Sequence, residues 1–361
     1  MKRGQKGFSL AELLVAIAVT LIVLAATLAA FSEAVQVNDF ATLMADMDQN
    51  LRAAVNMMVR DLSQTGTGIP TGGLPCPSGT GVQPINRPSP PGTAYTFPTD
   101  PLQPLVTTLH AINPGDGLGP TINNVAATDM VTVLYADSTL PLNTMPLSAI
   151  APDGSTMTVD PSIPVAAGLN TDLQPGDLIM FSNALGNAIQ TITRTTGTQT
   201  VRFDNNDFFG FNQRTVPGGT IMCLQNPGTN TNPNDCSANN GGWPPTTATR
   251  IWMITYYLDA TTDPNLPRLI RQINNFPGRP VALVLENLQL SYDIVDGVTN
   301  PTNQATVPNA FFPNTNPNQV RKVNLFLAAR SSQPTPRNQQ FLRNSVSTQI
   351  SLRSLSFVSR Y

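Results

Sequence analysis

Residues 13–31, LLVAIAVTLIVLAATLAAF, carry no charge, and Thr20 and Thr27 are the polar residues among them. At about 1.5 Å of rise per residue, a run of this length makes a helix of roughly 28 Å, one bilayer hydrocarbon core. A secretory signal peptide would have a shorter apolar core and a small-x-small cleavage site, which Ala29-Ala30 serves poorly. Lys2, Arg3 and Lys6 precede the run with no acid among them. By the positive-inside bias they leave the N-terminus in the cytoplasm and the rest of the chain on the outer side. One carboxylate, Glu12, stands at the head of the run. A charge inside a membrane segment costs about 2.5–3.5 kcal/mol on insertion scales, so Glu12 calls for a function and a named partner.

The stretch Gly7-Phe8-Ser9-Leu10-Ala11-Glu12-Leu13-Leu14-Val15-Ala16, behind a basic leader, resembles the prepilin motif of type IV pilins and type II secretion pseudopilins. The resemblance implies that a membrane-embedded prepilin peptidase cuts after Gly7 and that Phe8, the new N-terminal residue, is N-methylated. Glu12 then becomes the fifth residue of the mature chain. In that family this glutamate pairs with the terminal amine of a neighbouring subunit in the growing filament. Removing one member of an ion pair in low dielectric costs about 3–5 kcal/mol, so such a pair favours one axial register.

Beyond Glu33 the chain turns mixed but keeps a helical period. Phe40, Met44, Met47, Leu51, Val55, Met58 and Leu62 recur every three or four residues, the apolar stripe of an amphipathic helix. Pro70 is the first proline, and Gly66-Thr67-Gly68 supplies a stop. One helix is expected from about residue 8 to 63, on the order of 80 Å long.

The remainder is different material. All 33 prolines lie after residue 64, and short β-branched runs alternate with Pro, Gly, Asn and Asp. Strands are expected at Met130–Tyr135, Leu178–Phe181, Ile189–Arg194, Thr200–Phe203, Thr220–Leu224, Arg250–Leu258, Arg268–Ile273, Gln289–Val295, Lys322–Ala329 and Thr348–Phe357. Val281–Asn287 has the composition of a short helix. Residues 66–104, 225–247 and 299–319 read as long loops, which compact domains seldom carry without a use. The fold class is α+β: a long N-terminal helix, half in the membrane and half packed on the domain, against antiparallel sheet. The organisation is a leader at 1–7, a transmembrane and filament-core helix at 8–32, its amphipathic continuation at 33–63, and an extracytoplasmic β-rich domain at 64–361 with a variable insert at about 66–247. The last third, with ITYYLDATTDPNLPRLIRQ, VALVLENLQLSYDIVDG, KVNLFLAARS and QISLRSLSF, resembles PilW-like minor pilins and J-type minor pseudopilins. K-type tip pseudopilins generally lack the glutamate found here as Glu12.

Three cysteines, 76, 223 and 236, would mature where disulfides persist. Cys223 and Cys236 bracket a Pro/Asn/Gly loop, and a bond there would contribute roughly 3 kcal/mol in the chain-entropy model. Cys76 is left over or displaces one of them. The chemistry of a catalyst is thin. His110 is the one histidine and has no evident companion, no CxxC spacing suggests zinc, and PGDGLGP has proline where a phosphate cradle has its third glycine. NTNPND lacks EF-hand spacing for calcium. No cofactor, metal site or enzymatic activity is expected.

Charge is asymmetric. Residues 8–249 hold 6 basic and 17 acidic groups, whereas residues 250–361 hold 11 and 5. Ten of those eleven cations are arginine, suited to carboxylate and phosphate pairing. They would dock an acidic neighbouring subunit or, as a sharper alternative, form a DNA- or surface-contacting face at 268, 271, 321 and 330. The resemblance implies a minor pilin of a type IV pilus in the inner membrane that primes or caps assembly. Its partners would be the prepilin peptidase, other minor pilins and the major pilin. A type II secretion pseudopilin is the alternative within the family, and a filament-tip adhesin or DNA-capturing subunit the alternative from another class.

Overall fold

The computed structural model describes residues 9–97, 107–123, 126–140, 142, 147, 149–163, 165, 172–295, 304–307, 319–335 and 339–356. The chain is α+β: one long N-terminal apolar helix, Leu10–Gln64, followed by antiparallel sheets. It divides into two compact units, Met1–Gln49 with Arg330–Asn344, and Asn50–Ala329 with Ser345–Tyr361.

In the first unit the helix is exposed from Leu10 to Thr42, and Met47 is its buried apolar residue. Residues 330–344 are closed on themselves by Ser331 N–H to Leu342 O (2.8 Å) and Thr335 N–H to Gln340 O (2.8 Å). The Arg330 guanidinium lies 4.1 Å from the centre of the Phe341 ring, and Asn344 Nδ2 donates to Asp48 Oδ1 at 2.8 Å.

In the second unit the helix buries Leu51, Ala54, Met58, Asp61 and Leu62, a face repeating every three or four residues. Of the expected stripe, Met47, Leu51, Met58 and Leu62 are buried and Val55 is half-buried, whereas Phe40 and Met44 stay 45% and 36% exposed. The organising strand is Thr247–Asp259, rich in β-branched and aromatic residues. Its residues 247–251 pair with Leu178–Asn183 and its residues 254–259 with Arg268–Ile273 along one edge, while its residues 251–256 pair with Met130–Ala136 along the other. Gly186–Thr191, Ile112–Gly115 and Arg279–Leu283 complete seven strands. The organising strand is buried almost throughout, as a strand covered on both faces must be. A four-stranded sheet, ordered Gln304–Val307, Leu285–Val295, Val320–Arg330, Arg343–Ser351, alternates buried and half-buried residues on its two central strands, the mark of one covered face.

Several expectations need correction. Thr220–Leu224 is a 3₁₀ turn at Ile221–Leu224 instead of a strand. Gly219 ahead of it has φ +68°, and a side chain there would run into the Cys76 carbonyl, so the chain must turn at this point. Val281–Asn287 is not helical. It is the end of Arg279–Leu283 and the start of Leu285–Val295, joined through Val284 at φ +60°. Pairing of 279–283 with Arg268–Ile273 satisfies the backbone that a helix would have satisfied internally. Ile189–Arg194 is divided between Gly186–Thr191 and Arg194–Thr196, which belong to different sheets. Thr348–Phe357 is the strand Arg343–Ser351 followed by a helical turn, Arg353–Ser356, and Phe357 lies outside the described residues.

The stretch 66–247 is more than loops. It supplies four of the seven strands of the large sheet and a second small sheet around Thr156–Thr158 and Thr200–Arg202. It also carries its own core, in which Phe181 and Phe203 meet edge to face at 5.6 Å among Ile179, Val201 and Ile221.

Candidate processing and assembly site

The helix begins at Ser9. Glu12 N–H donates to Ser9 Oγ at 3.3 Å, and Ser9 N–H donates back to Glu12 Oε2 at 2.9 Å. The Ser9 hydroxyl also donates to Glu12 Oε2, at 3.0 Å. This is a capping box, in which the N-cap side chain and the third helical side chain each satisfy a backbone donor that the helix leaves open. The Ser-x-x-Glu spacing ahead of an apolar run is its sequence signature, and it stands in Ser9-Leu10-Ala11-Glu12. Reading Glu12 through its charge alone missed this local role. The carboxylate also faces the partial positive charge of the helix N-terminus. Gly7, Phe8, Lys2, Arg3 and Lys6 lie outside the described residues. Beyond Glu12 the helix is the one segment, among the described residues, long and apolar enough to cross a membrane, and its apolar window is fully exposed.

The other residues singled out in the sequence lie far along the chain from this end. Cys223 and Cys236 are joined as a disulfide with Cα atoms 4.8 Å apart, and Cys76 is a free, buried thiol. Burial pushes the Cys76 thiol up to about 12. His110 is half-buried between two short strands, and its carbonyl accepts from Asn113 Nδ2 at 2.7 Å. In the asparagine loop the side-chain oxygens cap turns: Asn230 Oδ1 accepts from Asn232 N–H, and Asp235 Oδ1 from Ser237 N–H. Among the described residues no group of three His, Cys, Asp or Glu side chains is placed to hold a metal.

Arg250, Arg268, Arg271 and Arg330 of the last third have intramolecular engagements. Arg271 Nε donates to Asp61 Oδ2 at 2.5 Å, and Arg268 Nη2 to Asp259 Oδ2 at 3.0 Å. Asp61 is fully buried in the last turn of the helix and also accepts from Tyr256 Oη (2.6 Å) and Tyr135 Oη (3.4 Å). Burial and the nearby Asp61 carboxylate both raise the Tyr256 and Tyr135 hydroxyls, the latter to about 12. For Arg271 burial works against the charge, but the bond and attraction to Asp61 outweigh it and hold the guanidinium firmly protonated. Arg250, 1% exposed, binds Asp137 Oδ2 through Nε (2.8 Å) and Nη2 (2.6 Å) and lies 3.5 Å from Asp177 Oδ2. Sequence reading did not find these two buried clusters, because the partners stand 73 to 210 positions apart.

Comparison with known proteins bears mainly on the N-terminus. A family model described as the prokaryotic N-terminal methylation motif matches residues 2–28. No curated protein matches. Among solved structures, a type IV-like pilin from Thermus thermophilus is similar at 12% identity and a TM-score of 0.17, over 51% of this chain and 87% of that one. That score is too low to carry an argument about fold. The motif implies processing by a prepilin peptidase, and a single N-terminal apolar helix is consistent with a pilin anchored in the inner membrane. The N-terminal end of this chain is thus similar to the prokaryotic N-terminal methylation motif, and it runs into an exposed apolar helix.

Proposed function

We propose that the protein is a minor pilin, cut after Gly7, N-methylated at Phe8 and inserted in a type IV filament, where it primes or caps assembly. The observation that carries this reading is the methylation motif at residues 2–28 running without a break into the exposed apolar helix. The capping box gives Glu12 a place before assembly: the carboxylate is bonded at Oε2 within its own chain, which lowers its cost in the membrane. In the filament the same group turns to the α-amine of a neighbouring Phe8, an ion pair across subunits. Partner subunits would be other minor pilins and the major pilin, and turnover of a substrate is not part of this work.

Incorporation is the test. Epitope-tagged protein should be recovered in filaments sheared from the cell surface, and Glu12→Ala should lower that recovery by about tenfold or more, given the cost of an unpaired buried charge. Membrane levels should stay unchanged. Equal recovery of the two forms would rule out the pairing role. Deletion that blocks protein secretion but leaves surface filaments intact would transfer the protein to a type II secretion pseudopilus.

A further inference from the structure

The four-stranded sheet has one face in the core and one turned out. Leu288, Leu290 and Tyr292 on one strand and Val323, Leu325 and Leu327 on the next are buried. Their alternates carry a different chemistry. The register sets Gln289 opposite Phe326, Ser291 opposite Asn324 and Asp293 opposite Lys322, and the edge strand adds Ser347 and Gln349. Gln289, Ser291, Asn324, Phe326, Ser347 and Gln349 line a groove of about 550 Å³, with Asp293 and Lys322 next along the register.

The polar groups of the groove are held before any ligand arrives. Asp293 Oδ1 accepts from Asn324 Nδ2 and Thr306 Oγ1, each at 2.8 Å, and Oδ2 accepts from Gln349 Nε2 at 3.0 Å. Gln349 Nε2 also donates to Asn324 Oδ1 at 2.9 Å, and Lys322 Nζ donates to Gln349 Oε1 at 3.2 Å. Side chains fixed in this way lose little further freedom on binding.

The chemistry selects among ligands. Among the described residues no charged side chain lines the groove, and Asp293 and Lys322 next to it are of opposite sign, so little field draws a polyanion or a charged peptide. Phe326 is half-buried and, among the described residues, is the one aromatic lining the groove, too little for an apolar helix or a lipid surface. What the groove offers is amides and hydroxyls that both donate and accept, spaced at strand intervals, beside one aromatic ring. A pyranose chain presents the complement: hydroxyls around its rim and an apolar C–H face to stack on an aromatic. The geometry points to a binding site for a neutral oligosaccharide on this sheet face, a function separate from filament assembly. Phe326 stacks a sugar ring, the amide oxygens of Gln289 and Gln349 accept from its hydroxyls, and Asn324 Nδ2 donates its second proton, the Nε2 protons of both glutamines being given within the chain. The open groove makes the affinity modest, about 0.1–1 mM for a short chain.

The test uses the full chain in phosphatidylcholine nanodiscs, because maltoside detergents would themselves occupy such a site. It is titrated with cello-, chito-, malto- and mannotetraose, and with a heparin tetrasaccharide and a short oligothymidylate as polyanion controls. At least one neutral tetrasaccharide should bind, about tenfold more weakly or worse in Phe326→Ala, with recovery in Phe326→Tyr. Gln349→Ala, at an exposed position, gives the same reading should Phe326→Ala fail to fold. Four results would overturn the assignment: no neutral tetrasaccharide bound at about 10 mM, binding of the polyanions alone, sugar binding indifferent to both variants, or variants that change only self-association and so mark a protein contact.

Discussion

Asp61 shows how much one side chain can decide. It sits in the last turn of the helix, where a negative charge opposes the helix dipole, and it is fully buried. Arg271, Tyr256 and Tyr135 supply the compensation from three strands of the large sheet. Asp61→Asn leaves the Arg271 charge without its partner and should cost about 3–5 kcal/mol of unfolding free energy. Denaturant unfolding measures this, and a change under about 1 kcal/mol would reduce the cluster to a surface-like pair. Asp129 predicts a pH dependence. Burial pushes its carboxyl up to about 6, against bonds from the Gly117 and Leu290 N–H groups, with Asp116 adding to the rise. Between about pH 4 and 6 the folded state therefore binds more protons than the unfolded one, and stability from this group falls as pH rises, by on the order of 2 kcal/mol. Relative to Asp129→Asn, the wild-type melting temperature should fall across that window and level off above it. A parallel course for both proteins would contradict the assignment. Neither residue was legible in the sequence as more than a polar position, since burial and partners come from strands far apart in the chain. Glu12 was legible as unusual, and its Ser9 partner stood three residues away.

At the scale of elements, legibility followed periodicity. The helix, with its sustained three-and-four spacing, begins and ends within two residues of expectation. So do both ends of Leu178–Asn183 and Arg268–Ile273, which carry Leu and Ile between turn residues. The misread elements are those governed by distant contacts. Ile221–Leu224 has strand composition, but close approach of Gly219 to the Cys76 carbonyl and the bond at Cys223 turn it. Val284 has strand composition too, yet it holds a left-handed conformation where the chain passes from one sheet to the other. The disulfide closes the asparagine loop over a separation of 13 residues. Replacing Cys223 and Cys236 together by serine should lower unfolding free energy by about 3 kcal/mol. The buried Cys76 thiol, pushed up to about 12, should resist alkylation in the native protein with or without that bond. Rapid labelling of Cys76 in the native state, or unchanged stability of the double variant, would count against this.

For the molecule as a whole, the sequence divides into a short end with a specific signature and a long remainder with a compositional one. The signature reaches residue 28, and the remaining chain reads as α+β from its strand runs without saying what it binds. The core of residues 140–248 and the polar sheet face appear once strands are paired, because both depend on which residues share a face. At the other end, the proposed function requires that the chain is made as a precursor, cut after Gly7 and methylated at Phe8. Intact mass and N-terminal sequence of the protein recovered from membranes test it directly, with Gly7→Ala as the control. The wild-type chain should start at methylated Phe8 and the variant at the unprocessed N-terminus. A wild-type chain that still starts at Met1, or one cut near Ala30, would contradict it.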